Sequence, residues 1–539
     1  MTAWSISVRF DQSDPRELLL RGDVRLDGDS PGILEGYERY GDALTEHLIG
    51  DFSFALWDGP RRRLLLVRDH FARRPLFYAQ HHGALHATND LPTLLAIPGL
   101  AGPLDEHALA DFLLFGRNLH AGRTTFANIR RVPAAHHLIA TTEGVSIQRY
   151  WSIPWRDQPR RIQPIEAQAE FRDVFSRAVR DRVRDRDRVV LSLSGGLDSN
   201  AVAATLAQLL KKGEVATDVR ALTTVWRTEF HDTEADHAAA AAKAYGFPHE
   251  FHVADGCEPF ARWDDPRVRG LEPTDEPCSA AFFDFIRHAV AHAPVILTGE
   301  GGDPLLYNSH EHFFRLLTRF RLLRFAREAG GYLLARGRLP PLNLRSQLRR
   351  ALGRPPQLPE YPAWIDPELE RRLGLRERWL QVLAPSGPRL HAYRNEAARI
   401  LDNPAWSRGF EATDPGSTGQ PLEWRSPFFD VRVVEFLFSL PPMPHFADKE
   451  LVRESMRGWM PEIVRRRPKT PLPHDPSARA FGRFRERWMQ GVEESTGLTG
   501  LVNRRILTDR IRESAGGAND YSASQQAFAV GLGLWLNNR

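Results

Sequence analysis

The sequence predicts an α/β fold with a doubly wound parallel sheet, because strands and helices alternate through its central part. Short apolar runs bounded by turn residues alternate there with longer stretches of helical periodicity. This alternation produces repeated βαβ units, which place helices on both faces of a parallel sheet. The strands are predicted at 189–193, 219–225, 249–253 and 294–298, and the helices at 198–212, 232–245 and 279–292.

The length of the chain and one polar segment predict two domains. The 539 residues, of which 42% are hydrophobic, are enough to bury two sizeable cores. Residues 152–166 are rich in proline and polar side chains, a composition typical of linkers. We therefore expect one domain over residues 1–155 and a second over residues 156–539.

The first predicted strand leads into the loop SGGLDS at 194–199, which has the features of a phosphate-binding loop. Its two glycines allow backbone N–H groups to approach an anion closely, and the start of the next helix adds a favourable dipole. An aspartate beside phosphates indicates a cation between them, for which Mg²⁺ is the natural candidate. The same residue types also suit an ordinary strand-to-helix turn. The residues predicted to bind ATP here are Ser192, Ser194, Gly195, Gly196, Leu197, Asp198 and Ser199.

A second acidic loop, GEGGD at 299–303, follows the predicted strand 294–298. Ligands of such sheets bind at the carboxyl ends of the strands, so both loops are expected to open on one edge. Asp198 and Asp303 would then hold Mg²⁺ jointly, while Glu300 would face the reacting group. The alternative is a glycine-rich turn with solvated acids.

Several motifs, in the same order along the chain, resemble those of the asparagine synthetase superfamily. SGGLDS resembles the pyrophosphate loop of that family, and GEGGD resembles its GEGxD motif. Residues 48–58 and 68–78 resemble the second half of its amino-terminal glutaminase domain. The other similar segments are 421–430, which resembles LExRxPFLD, 448–453, which resembles KxLLR, and Arg467–Lys469, which resembles RPK.

The resemblance implies a fold and a reaction. It implies an N-terminal Ntn-type glutaminase-like β-sandwich domain and a C-terminal doubly wound parallel-sheet ATP-pyrophosphatase domain with additional helices. The implied reaction is amide formation through an acyl-adenylate, with release of AMP and pyrophosphate. Lys449 and Arg453, four apart on one predicted helix face, would reach phosphate or a substrate carboxylate. The resemblance adds Thr223, Gly299, Lys449 and Arg453 to the ATP-binding residues, and Glu300, Lys469 and Glu423 as catalytic residues.

For two of these assignments, a structural or solvent-exposed role remains an alternative. Lys449 or Arg453 taken alone also suits a solvated cationic face, and Glu423 also suits a structural salt bridge. Lys469 lies in the run RRRPKTPLP at 465–473, where prolines exclude helix and favour an extended loop that closes over the site. Closure of that loop would exclude water, which otherwise hydrolyses the adenylate.

The first domain departs from the glutaminase pattern. Glutamine-dependent members begin Met-Cys-Gly and use the cysteine as nucleophile, whereas this sequence begins Met1-Thr2-Ala3-Trp4. Both cysteines, Cys257 and Cys278, lie in the second domain, and the glutamine-binding segment survives only as a fragment at 23–27. A nucleophilic Thr2 is the alternative to the interpretation we adopt, a retained scaffold without glutaminase activity.

A synthetase without its own ammonia supply must take its amine from elsewhere. The resemblance offers two branches that use an amine within the substrate, the β-lactam synthetases and the macrolactam cyclases of lasso peptides. The first would have a tyrosine in place of Glu300, so we predict a lasso-peptide macrolactam cyclase. Its partners would be a precursor peptide, a leader-binding protein and a leader peptidase. The alternatives are an asparagine synthetase using ammonia, another ligase of small carboxylates, a tRNA-modifying enzyme and an inactive scaffold.

The remaining sequence features concern surfaces and location. Residues 313–325 alternate apolar and basic side chains at helical spacing, which predicts one amphipathic helix that packs on the core or forms a surface for the peptide or its leader-binding protein. Two cysteines argue against a disulfide framework and for a reducing cytoplasm. We find no signal pattern and no apolar run of membrane-spanning length. A net charge of +4 gives little support to nucleic-acid binding.

Overall fold

A computed structural model describes residues 3–10, 17–26, 32–184, 186–228, 234–306, 311–318, 320–336, 358–383, 389–468, 483–513 and 521–539. Its strands are β1 (Ser5–Val8), β2 (Glu17–Leu26), β3 (Leu48–Asp58), β4 (Arg63–Arg68), β5 (Phe77–His81), β6 (Ala84–Thr88), β7 (Arg130–Arg131), β8 (His136–Thr141), β9 (Gly144–Arg149), β10 (Arg188–Ser192), β11 (Asp218–Val225), β12 (His249–Val253), β13 (Val295–Leu297) and β14 (Glu423–Arg425).

Helices surround these strands along the whole chain. They are α1 (Ile33–Tyr40), α2 (Leu91–Leu95), α3 (Glu106–Phe115), α4 (Pro164–Val183), α5 (Leu197–Lys211), α6 (Glu234–Tyr245), α7 (Pro266–Arg269), α8 (Ser279–Val290), α9 (Gly302–Leu306), α10 (Glu311–Thr318), α11 (Leu322–Arg336), α12 (Pro367–Leu373), α13 (Leu375–Leu383), α14 (Asn395–Leu401), α15 (Ala405–Thr413), α16 (Pro415–Thr418), α17 (Val431–Ser439), α18 (Glu450–Ser455), α19 (Glu462–Arg465), α20 (Arg485–Glu494), α21 (Arg504–Glu513) and α22 (Tyr521–Asn537).

The first part of the chain folds as two antiparallel sheets, with strand orders β1-β6-β5-β7 and β2-β3-β4-β8-β9. Side chains alternate between the two faces of β3, as the pleat requires. Ala55 and Trp57 join the cluster between the sheets, while Phe54 and Leu56 pack with Tyr37 of α1 on the other face. The predicted β-sandwich of the N-terminal domain is confirmed.

The second part contains a parallel sheet with the order β12-β11-β10-β13-β14. Both faces of its central strand β10 are covered, because Leu191 packs into the cluster with α4 and α5 whereas Val190 packs against α8. Such double coverage explains the nearly continuous apolar run at 189–193. The predicted strands and helices of this region, and the doubly wound fold, are confirmed within a residue or a few at their ends.

The two parts share a hydrophobic core. Helix α3 of the first part packs against the C-terminal helix α22, with Leu113 and Leu114 in the same cluster as Leu532 and Trp535. All four side chains are almost completely buried. The predicted boundary at residue 155 lies between β9 and α4, but apolar packing is continuous across it.

Two sequence expectations need correction. The single helix predicted over 313–325 is two helices, α10 and α11, with Phe320 between them at a φ of +54°. The apolar–basic alternation continues through the break, so the pattern hides the turn.

Cys257 and Cys278 form a disulfide with a Cα–Cα distance of 5.9 Å. The cysteine count gave no sign of this pair, because the packing of α8 beside β12 brings the two residues together. No helix among the described residues is long and apolar enough to cross a membrane.

Candidate active site

The predicted phosphate-binding loop and the GEGGD loop touch each other at the carboxyl edge of the parallel sheet. Their strands are direct neighbours, since Leu191 of β10 pairs with Leu297 of β13. A β-carbon on Gly299 would overlap the backbone of Ser199, and one on Gly302 would lie 2.5 Å from Cγ of Asp198. Only glycine at these two positions permits so close an approach, which is the physical reason for the GEGGD composition.

Hydrogen bonds from side chains in and next to the SGGLDS loop fix its conformation. The Ser194 and Ser199 hydroxyls lie 2.9 Å apart, and the backbone N–H of Gly196 donates to Oγ of Ser194 at 3.1 Å. Asn200, which the sequence analysis missed, donates from its side-chain amide to the carbonyls of Ser194 and Gly196, at 2.8 Å each. Helix α5 begins at Leu197 without a side-chain cap. Its first N–H groups thus suit an anion.

Two other predicted ATP-binding residues lie in the carboxyl-terminal halves of β10 and β11. Thr223 of β11 is 2% exposed and donates its hydroxyl to the carbonyl of Leu193 at 2.5 Å, while its oxygen also lies 2.8 Å from Nε2 of His249. Through the carbonyl of Leu193, Thr223 therefore supports the backbone that leads into the SGGLDS loop. Ser192 is the last residue of β10 and is half-buried.

Lys449 joins the two loops. Its Nζ lies 2.6 Å from Oδ2 of Asp198 and 2.6 Å from Oδ1 of Asp303, and its side chain is 10% exposed. The backbone of Lys449 and of Asp448 is left-handed, with φ values of +61° and +48°. Such a conformation is unfavourable for non-glycine residues and is typical of functional positions. The strained turn directs the ammonium group between the two carboxylates.

The arrangement fits Mg²⁺ and a polyphosphate. The two predicted metal ligands, Asp198 and Asp303, converge on one point, and carboxylate oxygens are what Mg²⁺ prefers. The uncapped start of α5 lies beside them and offers N–H groups to an anion. Nζ of Lys449 lies between the two carboxylates, so the ammonium would have to give way to an ion there and would then be free to bind phosphate oxygens. The assignment of both aspartates to the metal stays a prediction.

Arg453 has a different place from the one predicted. Helix α18 begins at Glu450, so Lys449 lies at its cap and does not share a helix face with Arg453. The guanidinium of Arg453 donates to the carbonyl of Asp448 at 2.8 Å and to that of Arg467 at 2.8 Å, and also to that of Arg465. Arg453 thus braces the strained turn and the chain leading to residue 468. Lys469 itself lies outside the described residues.

Arg467 is a further cation at the phosphate-binding loop that sequence reasoning passed over. Its guanidinium lies directly against Gly195, where a β-carbon would overlap Nη1. The side chain is 10% exposed, and Nη1 lies 3.7 Å from the Glu234 carboxylate. Its place in the basic run at 465–469 was the available signal, although that run also suited a solvated surface.

Glu300 meets an arginine of the first part of the chain. Nη1 of Arg73 lies 3.4 Å from Oε2 of Glu300, and Nη2 donates to the carbonyl of Trp424 at 2.9 Å. The Arg73 side chain is 2% exposed and stacks on the Phe410 ring, with Cζ 3.9 Å from its centroid. Burial raises the pKa of Glu300, and the positive charge of Arg73 partly opposes that rise.

Glu423 forms a structural salt bridge, which is the alternative to its predicted catalytic role. It is 3% exposed, and its two carboxylate oxygens accept from the guanidinium of Arg425 at 2.9 and 3.0 Å. Arg74 donates to the same carboxylate. Loss of Glu423 would take this carboxylate from two buried guanidinium groups, which is strongly destabilising. Glu423 therefore joins the turn carrying Arg74 to β14.

The contact between the two loops generates a prediction. In Gly302→Ala the added methyl meets the side chain of Asp198, and overpacking of this kind costs about 1–3 kcal/mol. We expect binding of Mg²⁺-ATP to weaken by about 10-fold or more, measured by isothermal titration calorimetry. The matched control is Gly330→Ala in α11, where a β-carbon has no neighbour within 4 Å and binding should not change. Equal affinity of both variants would contradict the proposed loop contact.

Comparison with known proteins gives the family. Residues 170–537 match the asparagine synthase family, and residues 16–151 match a glutamine amidotransferase domain. The chain is 23% identical to glutamine-hydrolyzing asparagine synthetase 3 of Bacillus subtilis, over 93% of this chain and 80% of that protein. It is 27% identical to a putative glutamine-hydrolyzing asparagine synthetase of Mycobacterium tuberculosis, over 94% of this chain and 79% of that protein.

Among solved structures, the chain is similar to glutamine phosphoribosylpyrophosphate amidotransferase from B. subtilis, with 12% identity over 59% of this chain and 61% of that one. The TM-score of 0.17 is too low to carry an argument. The family match covers both loops of the candidate site and the helices that surround them. The protein belongs to the asparagine synthase family of ATP-dependent amide-forming ligases.

Proposed function

We propose that this ligase joins a carboxylate and an amine of one peptide, as a macrolactam cyclase of the lasso-peptide type. The observation that carries the proposal is the lack of a cysteine nucleophile in the first part of the chain. Residues 1–155 contain no cysteine, the nucleophile on which glutamine hydrolysis depends in this family. An amine already present in the substrate removes the need for that reaction.

The turn that follows β4 supports the proposal. Asp69 accepts the backbone N–H groups of Phe71, Arg73 and Arg74 at 2.9–3.0 Å and fixes the turn. From it, Phe71 packs on Phe429 and Arg73 stacks on Phe410. Arg73 also reaches Glu300, so the turn contacts the synthetase site directly. We infer that the first part of the chain now serves as a support for the synthetase site.

The first chemical step activates the carboxylate. A carboxylate oxygen of the peptide attacks the α-phosphorus of ATP, the bond to the β-phosphate oxygen breaks, and pyrophosphate leaves. Mg²⁺ bound to Asp198 and Asp303 would supply charge neutralisation for the departing phosphates. Lys449 and Arg467 place two further positive charges beside the same loop, where they stabilise the developing charge.

The second step forms the amide. The amine nitrogen attacks the acyl carbon, the carbon–oxygen bond to AMP breaks, and AMP leaves with that oxygen. The nitrogen must lose a proton, and Glu300 is placed to accept it. A carboxylate whose pKa is raised by burial is a stronger base than a solvated one, and the charge of Arg73 partly opposes that rise. Retention of glutamate at this position favours this proposal over a β-lactam synthetase.

One assay separates the proposal from asparagine synthesis with ammonia. The protein is incubated with Mg²⁺-ATP and either aspartate plus ammonium or synthetic linear peptides that carry a free N-terminal amine and one internal aspartate or glutamate at successive positions. We expect one peptide to lose one water, with one pyrophosphate released per product, detected by mass spectrometry and a pyrophosphate assay. The N-acetylated form of that peptide, which lacks the amine, is the matched control. Asparagine formation, or no cyclic product from any unblocked peptide, contradicts the proposal.

The contact between Arg73 and Glu300 predicts a change in pH dependence. A base is active when deprotonated, so the rate rises with pH through the pKa of Glu300. Because Arg73 lowers that pKa, Arg73→Met should raise it and move the acidic limb of kcat/KM against pH to higher pH. Arg73→Lys keeps the charge and should give a smaller displacement.

The control for this prediction is Arg61→Met, a change at an exposed arginine of the same domain that pairs with Asp58. Its acidic limb should coincide with that of the unchanged protein. A loss of activity in Arg73→Met that is equal at every pH would show that Arg73 acts only through packing.

A further inference from the structure

A group of potential metal ligands lies on the face of the parallel sheet covered by α8, apart from the candidate active site. Glu250 belongs to the edge strand β12, and His288 lies in the last turn of α8. His292 follows two residues after the helix, where its backbone N–H still bonds to the carbonyl of Ala289 at 3.0 Å. The two histidines therefore project from one side of a helical segment, four residues apart.

The ligand atoms converge on one point. Nε2 of His288 lies 3.1 Å from Oε2 of Glu250, and Nε2 of His292 lies 3.3 Å from the same oxygen. All three atoms lie within 4.8 Å of one another. A tetrahedral ion with bonds of about 2.0–2.1 Å separates its ligands by roughly 3.3–3.4 Å. Small side-chain rotations would therefore bring the three atoms to coordination distance.

The chemistry of the group suits a transition-metal ion. Glu250 brings a carboxylate to two imidazole groups, and this is a common ligand set of Zn²⁺. Arg220 binds the other oxygen, Oε1, and leaves Oε2 to the histidines. The three side chains keep 22–35% of their surface exposed, which gives an ion and a coordinated water access.

We propose that Glu250, His288 and His292 bind one divalent transition-metal ion of the Zn²⁺ class, with water in the remaining position. Two nitrogen ligands and one carboxylate favour Zn²⁺ over Mg²⁺, which prefers oxygen. The ion would tie β12 to the end of α8. The Cys257–Cys278 disulfide lies at the other end of the same helix and spans the β12–α8 connection, so both ends of α8 would be fastened.

The consequence concerns the sheet that carries the candidate active site. Phe285, Ile286 and Ala289 of α8 pack on Val190 and Ile296, which belong to the neighbouring strands β10 and β13. These strands lead directly into the SGGLDS and GEGGD loops. An ion that fixes α8 would thus stabilise the layer beneath both loops without contacting substrate.

The test uses the full chain without a histidine tag, stripped of metal with a chelator and free of ATP. Titration with Zn²⁺ by calorimetry, and with Co²⁺ by visible absorption, should show one site per chain, with the intense bands of a four-coordinate Co²⁺ ion. The double variant His288→Ala/His292→Ala should lose this binding by about 100-fold or more. Zn²⁺ should raise the melting temperature of the unchanged protein and leave that of the double variant unaltered.

The matched control is His81→Ala/His86→Ala, which removes two neighbouring histidines from the β5–β6 hairpin and should leave Zn²⁺ binding intact. Circular dichroism checks that each variant is folded. If the His288/His292 variant unfolds, the single variant Glu250→Gln should retain the fold and bind Zn²⁺ more weakly. The proposal is overturned if the unchanged protein binds neither Zn²⁺ nor Co²⁺. It is also overturned if a folded His288→Ala/His292→Ala or Glu250→Gln variant binds Zn²⁺ as tightly as the unchanged protein.

Discussion

The candidate site depends on one ammonium group placed between two carboxylates. Asp198 and Asp303 come from different loops, and without a cation between them their like charges would repel. Lys449 supplies that cation from a strained turn, and the Asp448 carbonyl of this turn accepts a hydrogen bond from Arg453. The closeness of the loops in turn requires Gly299 and Gly302. The site is therefore a set of mutually dependent contacts between two loops whose strands are direct neighbours.

Ion pairs and apolar packing also join the first part of the chain to the part that carries the candidate site. Its turn at 68–76 delivers Arg68, Arg73 and Arg74 to the carboxylates Glu411, Glu300 and Glu423 of the second part, and all three guanidinium groups are buried. Buried charges need such partners, so removal of this part would take a guanidinium partner from each of these three acids. Helix α3 also shares its apolar core with α22. On the proposal that the first domain supplies no ammonia, it would still be required for the shape of the synthetase site.

Much of this arrangement could be predicted from sequence, because periodicity and motif order are local signals. The strands and helices of the parallel sheet, the two loops and the family followed from them. Long-range contacts could not be predicted: the Arg73–Glu300 pair, the Cys257–Cys278 disulfide and the carbonyl-bracing role of Arg453 depend on packing between distant segments. The break at Phe320 was hidden because its flanking residues continue the amphipathic pattern through a left-handed turn.

If the two loops form one Mg²⁺-ATP site, the affinity for ATP must depend on Mg²⁺ through both loop aspartates. ATP affinity is measured by calorimetry with and without Mg²⁺ for the unchanged protein, Asp198→Asn, Asp303→Asn and the exposed control Asp264→Asn. The account predicts that Mg²⁺ strengthens binding in the unchanged protein and in Asp264→Asn, and that this gain is lost when either loop aspartate is replaced. A full Mg²⁺ gain in Asp198→Asn or in Asp303→Asn would contradict the account.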